Sequence, residues 1–307
     1  MMSSNQAMLY FAYGSNLHRA DWRKFCRRHG QADDPLTPLG PAWLPDHRPV
    51  YHYYSVSREG GALDVVGDLG QVTPGMLFQV SEPGWELLDR KEGAPGYYQR
   101  TPIALLTEDG GVCSAFTYQV VPERRESDFV PPTSEYLALV RDALAQWDLT
   151  GEAHKQAAAG DVPAPLVQHL FVYGLLQSGY VFGRFLDGQC RREPATAPGR
   201  VYDLGAYPAW QPAQAPHERV SGELLRFTAP ASVLERTDAA EDFVGYGADS
   251  HYHRVLLRAR SRAGGEVLAW CYRYARDLSQ ARRVPDGRWQ PQQAETAEQL
   301  WAGHLGG

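Results

Sequence analysis

Two glutamates hold the most chemical interest in the sequence. Glu92 and Glu241 each follow a short segment, Trp85-Glu86-Leu87-Leu88-Asp89 and Val233-Leu234-Glu235-Arg236-Thr237-Asp238, that reads as one or two helical turns. Each precedes glycine and then a strand-like run, Tyr98-Gln99-Arg100 or Tyr252-His253-Arg254. In those runs Tyr and Arg stand two residues apart and share one face. A glutamate facing an aromatic-lined cavity has its pKa raised and can move a proton near neutral pH. The competing reading pairs it with Arg100 or Arg254.

A second constellation is Tyr13-Gly14-Ser15-Asn16, between a strand-like Leu9-Tyr10-Phe11-Ala12 and a helix expected over His18 to His29. Consecutive N–H groups at such a junction bind carboxylate or phosphate, and Gly14 lets a ligand approach the main chain. An ordinary strand-to-helix turn fits the same tetrapeptide. His251 and His253, near Asp249, suggest a metal site, but their counterparts Tyr97 and Gln99 are no such pair. Alternation turns both histidines away from the face of Tyr252, which makes them surface or core-edge residues, and no metal site is expected. GxxxxGK, GxGxxG, HExxH and GxSxG are all absent, which removes support for nucleotide, zinc-protease and serine-hydrolase readings.

The elements that must position these residues occur twice. Leu9 to Leu17 is answered by Leu170-Phe171-Val172-Tyr173-Gly174-Leu175-Leu176, and Gly75–Val80 by Gly222–Phe227. Asp89-Arg90-Lys91-Glu92 is answered by Asp238-Ala239-Ala240-Glu241, Tyr98-Gln99-Arg100 by Tyr252-His253-Arg254, and Ala115–Tyr118 by Ala269–Tyr272. The blocks keep one order while their spacing drifts, as loop insertions require. The chain is therefore read as a tandem duplication rather than a short-period solenoid.

Between the copies, Tyr136, Leu137, Val140, Leu144 and Trp147 share one helical face, with Ser134 as the expected N-cap. Gly151 to Pro165 reads as a surface helix fragment and linker. The domains are expected at 1–161 and 162–307, each mostly strands with one or two helices, hence α+β.

Composition agrees with two folded domains. The 307 residues are 43% hydrophobic and 11% aromatic, which excludes a disordered chain. The net charge of −6 argues against a nucleic-acid partner that depends on a positive field. No apolar run approaches the roughly 20 residues of a membrane span, and the N-terminus lacks a basic leader, so no membrane partner is expected. Cys26, Cys113, Cys190 and Cys271 are far apart, which suits a reducing cytoplasm. Oligomeric state leaves no mark in the pattern.

Tyr13-Gly14-Ser15-Asn16-Leu17, Leu88-Asp89-Arg90-Lys91-Glu92-Gly93 and Tyr98-Gln99-Arg100 together resemble the γ-glutamylcyclotransferase family. The second copy, with Phe171 to Leu176 and Asp238 to Glu241, is similar to the γ-glutamylamine cyclotransferase branch. The resemblance implies a small mixed β-barrel with flanking helices in each half, its cavity opening at the Tyr-Gly loop. It also implies release of 5-oxoproline from a small γ-glutamyl peptide or amine, without a cofactor. The substrate's own α-amine attacks its γ-carbonyl, with Glu92 as general acid and base. Tyr13, Gly14, Ser15 and Asn16 would hold substrate oxygens, and Tyr98 and Tyr118 would orient the ligand through their hydroxyls. In the second copy these roles fall on Glu241, Tyr173, Gly174, Leu175, Tyr252 and Tyr272. Leu175 departs from the pattern, standing where the first copy has the hydroxyl of Ser15. Other readings are a module that binds a γ-glutamyl-like ligand without turnover, and an amide hydrolase or acyl transferase on the same fold.

Overall fold

The computed structural model describes residues 8–290. Two compact units divide it: residues up to Leu105 with Cys113–Leu166, and Leu106–Val112 with the chain from Val167 onward.

In the first unit, β1 (Leu9–Ala12) leads through a 3-10 turn at Ser15–Leu17 into α1 (Arg19–Arg28). A long hairpin follows, β2 (Leu36–Ser55) and β3 (Gly60–Val80), then α2 (Glu82–Glu92), β4 (Tyr98–Leu106) and β5 (Val112–Val120). Helices α3 (Ser134–Gln146) and α4 (Glu152–Ala158) complete it. The strands close into a barrel in the order β1-β3-β2-β4-β5, which leaves no free sheet edge. β1 runs antiparallel to β3 and parallel to β5, where Tyr10 pairs with Phe116. Because β1 is buried on both faces it is continuously apolar rather than alternating. β2 carries Pro38, Pro41, Pro45 and Pro49, and its pairing with β3 shifts register at Pro38/Gly40 and Pro45/His47. Such bulges let a strand keep residues that cannot donate to the ladder.

Helix α1 places Trp22 and Cys26, four residues apart, against the barrel. Its bounds match the stretch expected between His18 and His29, and His18 itself is the N-cap, its Nδ1 accepting from Asp21 N–H. Two expectations around the later helices are corrected. The N-cap of α3 is Thr133, not Ser134, because the Thr133 hydroxyl accepts from Tyr136 N–H. The stretch expected as a surface fragment contains α4, whose Ala153, His154 and Ala157 are buried. Small alanines let that helix approach β2 closely.

The second unit repeats the barrel. It comprises β6 (His169–Val172), β7 (Arg191–Pro198), β8 (Arg200–Asp203), β9 (Pro208–Gln211) and β10 (Arg219–Arg226), followed by α5 (Pro230–Ala240). β11 (Tyr252–Ser261), β12 (Glu266–Tyr274) and β13 (Arg282–Val284) complete it. The closed order is β10-β6-β12-β11-β7, with β6 parallel to β12 at Leu170 and Trp270. Where the first unit has its long hairpin, this one has shorter strands, and β13-β8-β9 form a separate sheet. After Tyr173-Gly174 there is a 3-10 turn at Gly183–Leu186, not a helix like α1. Both units are thus mixed barrels with flanking helices, an α+β architecture. No helix among the described residues is long and apolar enough to cross a membrane.

The matched glycines Gly75 and Gly222 mark a close backbone approach to the first strand of each barrel. A Cβ on Gly75 would stand 2.3 Å from the Ala12 carbonyl oxygen, and one on Gly222 2.2 Å from that of Val172. Gly75→Ala and Gly222→Ala are each expected to destabilise by about 1–3 kcal/mol, since strand β1 or β6 must move to admit the methyl. Wild-type denaturation midpoints in both variants would refute this account of the strand contacts.

Candidate functional site

Glu92 is the last residue of α2 and Glu241 the C-cap of α5, so both carboxyls stand at helix C-termini. The partial negative charge there disfavours a second negative charge. Each glutamate lines a cavity, of about 430 Å³ in the first unit and about 420 Å³ in the second. The first cavity gathers Tyr13, Gly14, Ser15, Asn16, Glu92, Tyr98 and Tyr118. The second gathers Tyr173, Gly174, Leu175, Glu241, Tyr252 and Tyr272. Every site residue expected from the sequence therefore lies in the cavity of its own half.

The arginines do not take the glutamates. Arg100 Nε donates to Asp89 Oδ1 at 2.8 Å, its second nitrogen reaches Asp89 Oδ2, and the guanidinium lies over Trp85. The Tyr118 hydroxyl donates to the same Asp89 Oδ1 at 2.6 Å. In the second unit Arg254 donates to Asp238 Oδ2 at 2.9 Å, Tyr272 donates to Asp238 Oδ1 at 2.6 Å, and Arg254 lies over Trp270. The Asp one helical turn before each Glu thus absorbs the basic partner. This corrects the alternative of a Glu92–Arg100 or Glu241–Arg254 pair.

The Tyr-Gly loops are tied down in the same way in both halves. The Tyr13 hydroxyl donates to the Tyr118 carbonyl at 2.7 Å, and the Tyr173 hydroxyl to the Tyr272 carbonyl at 2.8 Å. Leu17 and His18 N–H close the turn onto the Gly14 and Ser15 carbonyls. Among the described residues the N–H groups of Gly14, Ser15 and Asn16 have no protein acceptor, so they are open to a ligand anion. Packing gives a further reason for glycine at this position in both halves. A Cβ on Gly14 would meet Leu63 Cδ2 at 3.1 Å, and one on Gly174 would meet Pro208 Cγ at 2.6 Å.

The tyrosine hydroxyls are largely committed to protein acceptors. Tyr98 donates to the Leu63 carbonyl at 3.0 Å, Tyr252 to the Pro208 carbonyl at 2.7 Å, and Tyr118 and Tyr272 to the aspartates. Their rings line the cavities, but their hydroxyl protons are already used.

The two glutamates differ in surroundings. Asn16 Nδ2 donates to Glu92 Oε1 at 2.6 Å and to the Tyr10 hydroxyl at 2.9 Å. Burial pushes Glu92 above its ordinary range, while Lys91, the Asn16 hydrogen bond and Arg58 pull it back. Asn16 Oδ1 has no donor among the described residues. In the second unit Leu176 stands at the Asn16 position and Ala240 at that of Lys91. Burial, with the Asp238 charge adding, pushes Glu241 up to about 8.

Several cavity residues carried no signal that the sequence reading used. Tyr136 read as part of an apolar helix face, yet it lines the first cavity, as do Lys24, Arg28 and Arg58. His154 of α4 lies 2.9 Å, through Nε2, from the Tyr13 carbonyl, and burial pushes it down to about 4, so it is a neutral donor. Only long-range packing brings α4 to that loop. His251 corrects an expectation: it lines the second cavity, stacked on Tyr252 and 3.3 Å from the Tyr207 hydroxyl. It precedes β11, so strand alternation does not govern its direction. Among the described residues no group of three metal-ligating side chains occurs.

The family model described as gamma-glutamyl cyclotransferase, AIG2-like matches residues 10–138 and again 170–291. No curated protein matches the chain. A solved structure described as a gamma-glutamyl cyclotransferase is similar over 50% of this chain and 86% of its own, at 20% identity and a TM-score of 0.42. YkqA from Bacillus subtilis is similar over 97% of this chain and 98% of its own, at 13% identity and a TM-score of 0.35. The ytfP protein of Escherichia coli is similar over 39% of this chain and 95% of its own, at 25% identity and a TM-score of 0.30.

Two predictions follow from the glutamate environments. Asn16→Leu, which copies the second unit, removes a hydrogen bond to the charged form, so the Glu92 pKa is expected to rise. A carboxyl-carbon NMR titration reads this directly, and an unmoved Glu92 would deny Asn16 that role. For Glu241, the folded chain holds the proton more tightly than the unfolded one. Its contribution to stability is present at low pH and is lost as pH climbs from about 4.5 to about 8. Glu241→Gln is expected to match wild type in denaturant unfolding at pH 4 and to exceed it at pH 9. An equal difference at both pH values would contradict the half-buried, proton-holding carboxyl.

Proposed function

This chain belongs to the gamma-glutamyl cyclotransferase, AIG2-like family, in tandem, and from that premise we propose that it releases 5-oxoproline from small γ-glutamyl peptides or amines. The observation that carries the reading is a half-buried glutamate at the cavity of each half, without a basic ion-pair partner among the described residues, and in the first half beside a turn whose N–H groups have no protein acceptor. Recognition alone has no need of a proton carrier at that point.

In the first cavity the N–H groups of Gly14, Ser15 and Asn16 hold substrate oxygens. Asn16 Oδ1 is available to accept from the substrate ammonium. Glu92 as carboxylate takes one proton from the α-ammonium, and the freed amine attacks the γ-carbonyl carbon. The new C–N bond closes a five-membered ring, and the carbonyl oxygen becomes an oxyanion facing N–H donors. Glu92 then returns its proton to the leaving nitrogen, the original C–N bond breaks, and the oxyanion collapses to the lactam carbonyl. The second proton of the ring nitrogen passes through the Glu92 carboxylate to the released amine, which departs as an ammonium. Protons and electrons balance without a cofactor. Because the nucleophile is tethered to its target, holding the folded conformer supplies much of the rate, up to roughly 7–11 kcal/mol.

The same steps apply at Glu241, with one handicap. A carboxyl that holds its proton until about pH 8 is mostly uncharged at neutrality and must ionise before acting as base. Leu175 and Leu176 also offer only backbone donors where the first site has Ser15 and Asn16. The first half is therefore the stronger cyclotransferase at neutral pH. The apolar second cavity favours a second reading for that half, in which it holds a γ-glutamyl-like ligand with little turnover.

Glu92→Gln is expected to remove most 5-oxoproline formation at pH 7, by roughly 10²–10⁴-fold at the first site. Glu241→Gln is expected to remove a smaller share, which grows as pH passes 8. The measurement is 5-oxoproline by mass spectrometry on a panel of γ-glutamyl dipeptides and amines. A larger loss from Glu241→Gln at pH 7 reverses the ranking, and free glutamate as product moves the reaction to hydrolysis.

A further inference from the structure

The two cavities share a fold, a glutamate and an Asp–Arg–Tyr frame, yet their linings differ sharply in charge. Lys24, Arg28, Arg58 and Lys91 line the first cavity, while no lysine or arginine lines the second. The acidic lining of the first cavity is Asp21 and Glu92, and Asp21 is spent on Lys91, whose ammonium donates to it at 2.7 Å. Lys24 and Arg28, one helical turn apart on α1, make no ion pair or hydrogen bond among the described residues. Arg58 lies with its guanidinium 5.1 Å from the centre of the Tyr136 ring and also has no carboxylate partner among the described residues.

Depth orders these groups. Asn16 and Tyr10 are each 3% exposed and form the floor around Glu92, whereas Lys24 and Arg28 are exposed at the mouth. A γ-glutamyl unit seated with its reacting carbonyl at Glu92 and the Gly14–Asn16 turn spends its own α-carboxylate near the floor. The part of the ligand that reaches the mouth is the leaving group. We propose that Lys24, Arg28 and Arg58 form an anion-binding subsite that selects ligands whose leaving group carries a carboxylate or phosphate, and that the second cavity lacks this selection. The two halves thereby divide ligands by the charge of the leaving group. The inference rests on the cyclotransferase reading for the orientation of the ligand.

The test uses matched pairs that differ by one anionic group, in the full chain. γ-Glutamyl-glycine is compared with γ-glutamyl-glycinamide, and γ-glutamyl-ethanolamine phosphate with γ-glutamyl-ethanolamine. In a Glu241→Gln background the anionic member of at least one pair is expected to show about tenfold higher kcat/KM, expressed in KM, as one charge-assisted contact implies. Whichever pair shows it identifies carboxylate or phosphate as the group taken. Lys24→Gln with Arg28→Gln, both exposed positions outside the barrel core, is expected to abolish the difference while leaving the neutral members' kcat unchanged. Calorimetric binding of the same pairs reads the subsite without turnover. Equal affinity for both members of each pair, or a preference that survives the double substitution, overturns the subsite. A retained anion preference in binding, with no 5-oxoproline formed from any member, overturns the cyclotransferase reading and leaves the subsite standing.

Discussion

The chemistry available in each half depends on where one aspartate sends its charge. Asp89 and Asp238 sit one helical turn before the glutamates and accept from both an arginine and a tyrosine of the barrel strands. The arrangement joins the end of α2 to β4 and β5, and the end of α5 to β11 and β12. It also removes the nearest guanidinium from competition for the glutamate. Had Arg100 paired with Glu92, the carboxyl would be held low and inert. With the aspartate absorbing it, the glutamate meets burial and a helix C-terminus, which favour the proton-carrying form.

Upon that shared frame the two copies have diverged in what surrounds the carboxyl. The first has an amide hydrogen bond and nearby cations that moderate the effect of burial on Glu92. The second replaces them with Leu176 and Ala240, and Asp238 is left as a repulsive neighbour. A duplicated barrel can therefore present the same residue from a helix C-terminus in two different surroundings. The matching latches from Tyr13 and Tyr173 to the tyrosine carbonyls are kept although the strands and helices around them differ.

Much of this was legible in the residues because it depends on local order and repetition. The strand ending in Tyr-Gly, the helix from Arg19 to Arg28 and the placement of Glu before a Tyr-x-Arg strand are patterns of short range. Where reading fell short, a side-chain choice within one turn or a contact distant in sequence had intervened. Thr133 caps α3 because its own hydroxyl reaches Tyr136 N–H, although Ser134 beside it has the same chemistry. Gly14 is small on account of Leu63, and Gly174 on account of Pro208, neither near it in sequence. His154 supports the Tyr13 carbonyl from a stretch that reads as linker, because Ala-rich composition gives no sign of what it packs against.

The sequence by itself determined the duplication, the α+β class and the repeated Tyr-Gly, Glu and Tyr positions that line both cavities. Those follow from apolar runs, turn residues and a repeated order, which persist however the chain is finally packed. Tertiary structure alone decided which carboxylate takes the arginine. Asp89 and Glu92 lie one turn apart, and either could face Arg100 until the barrel closes and sets their depth. It also decided that the tyrosine hydroxyls point to carbonyls and aspartates, and that cations gather at one cavity and not the other. Charge pairing depends on distance and burial, and both exist only once the strands have closed.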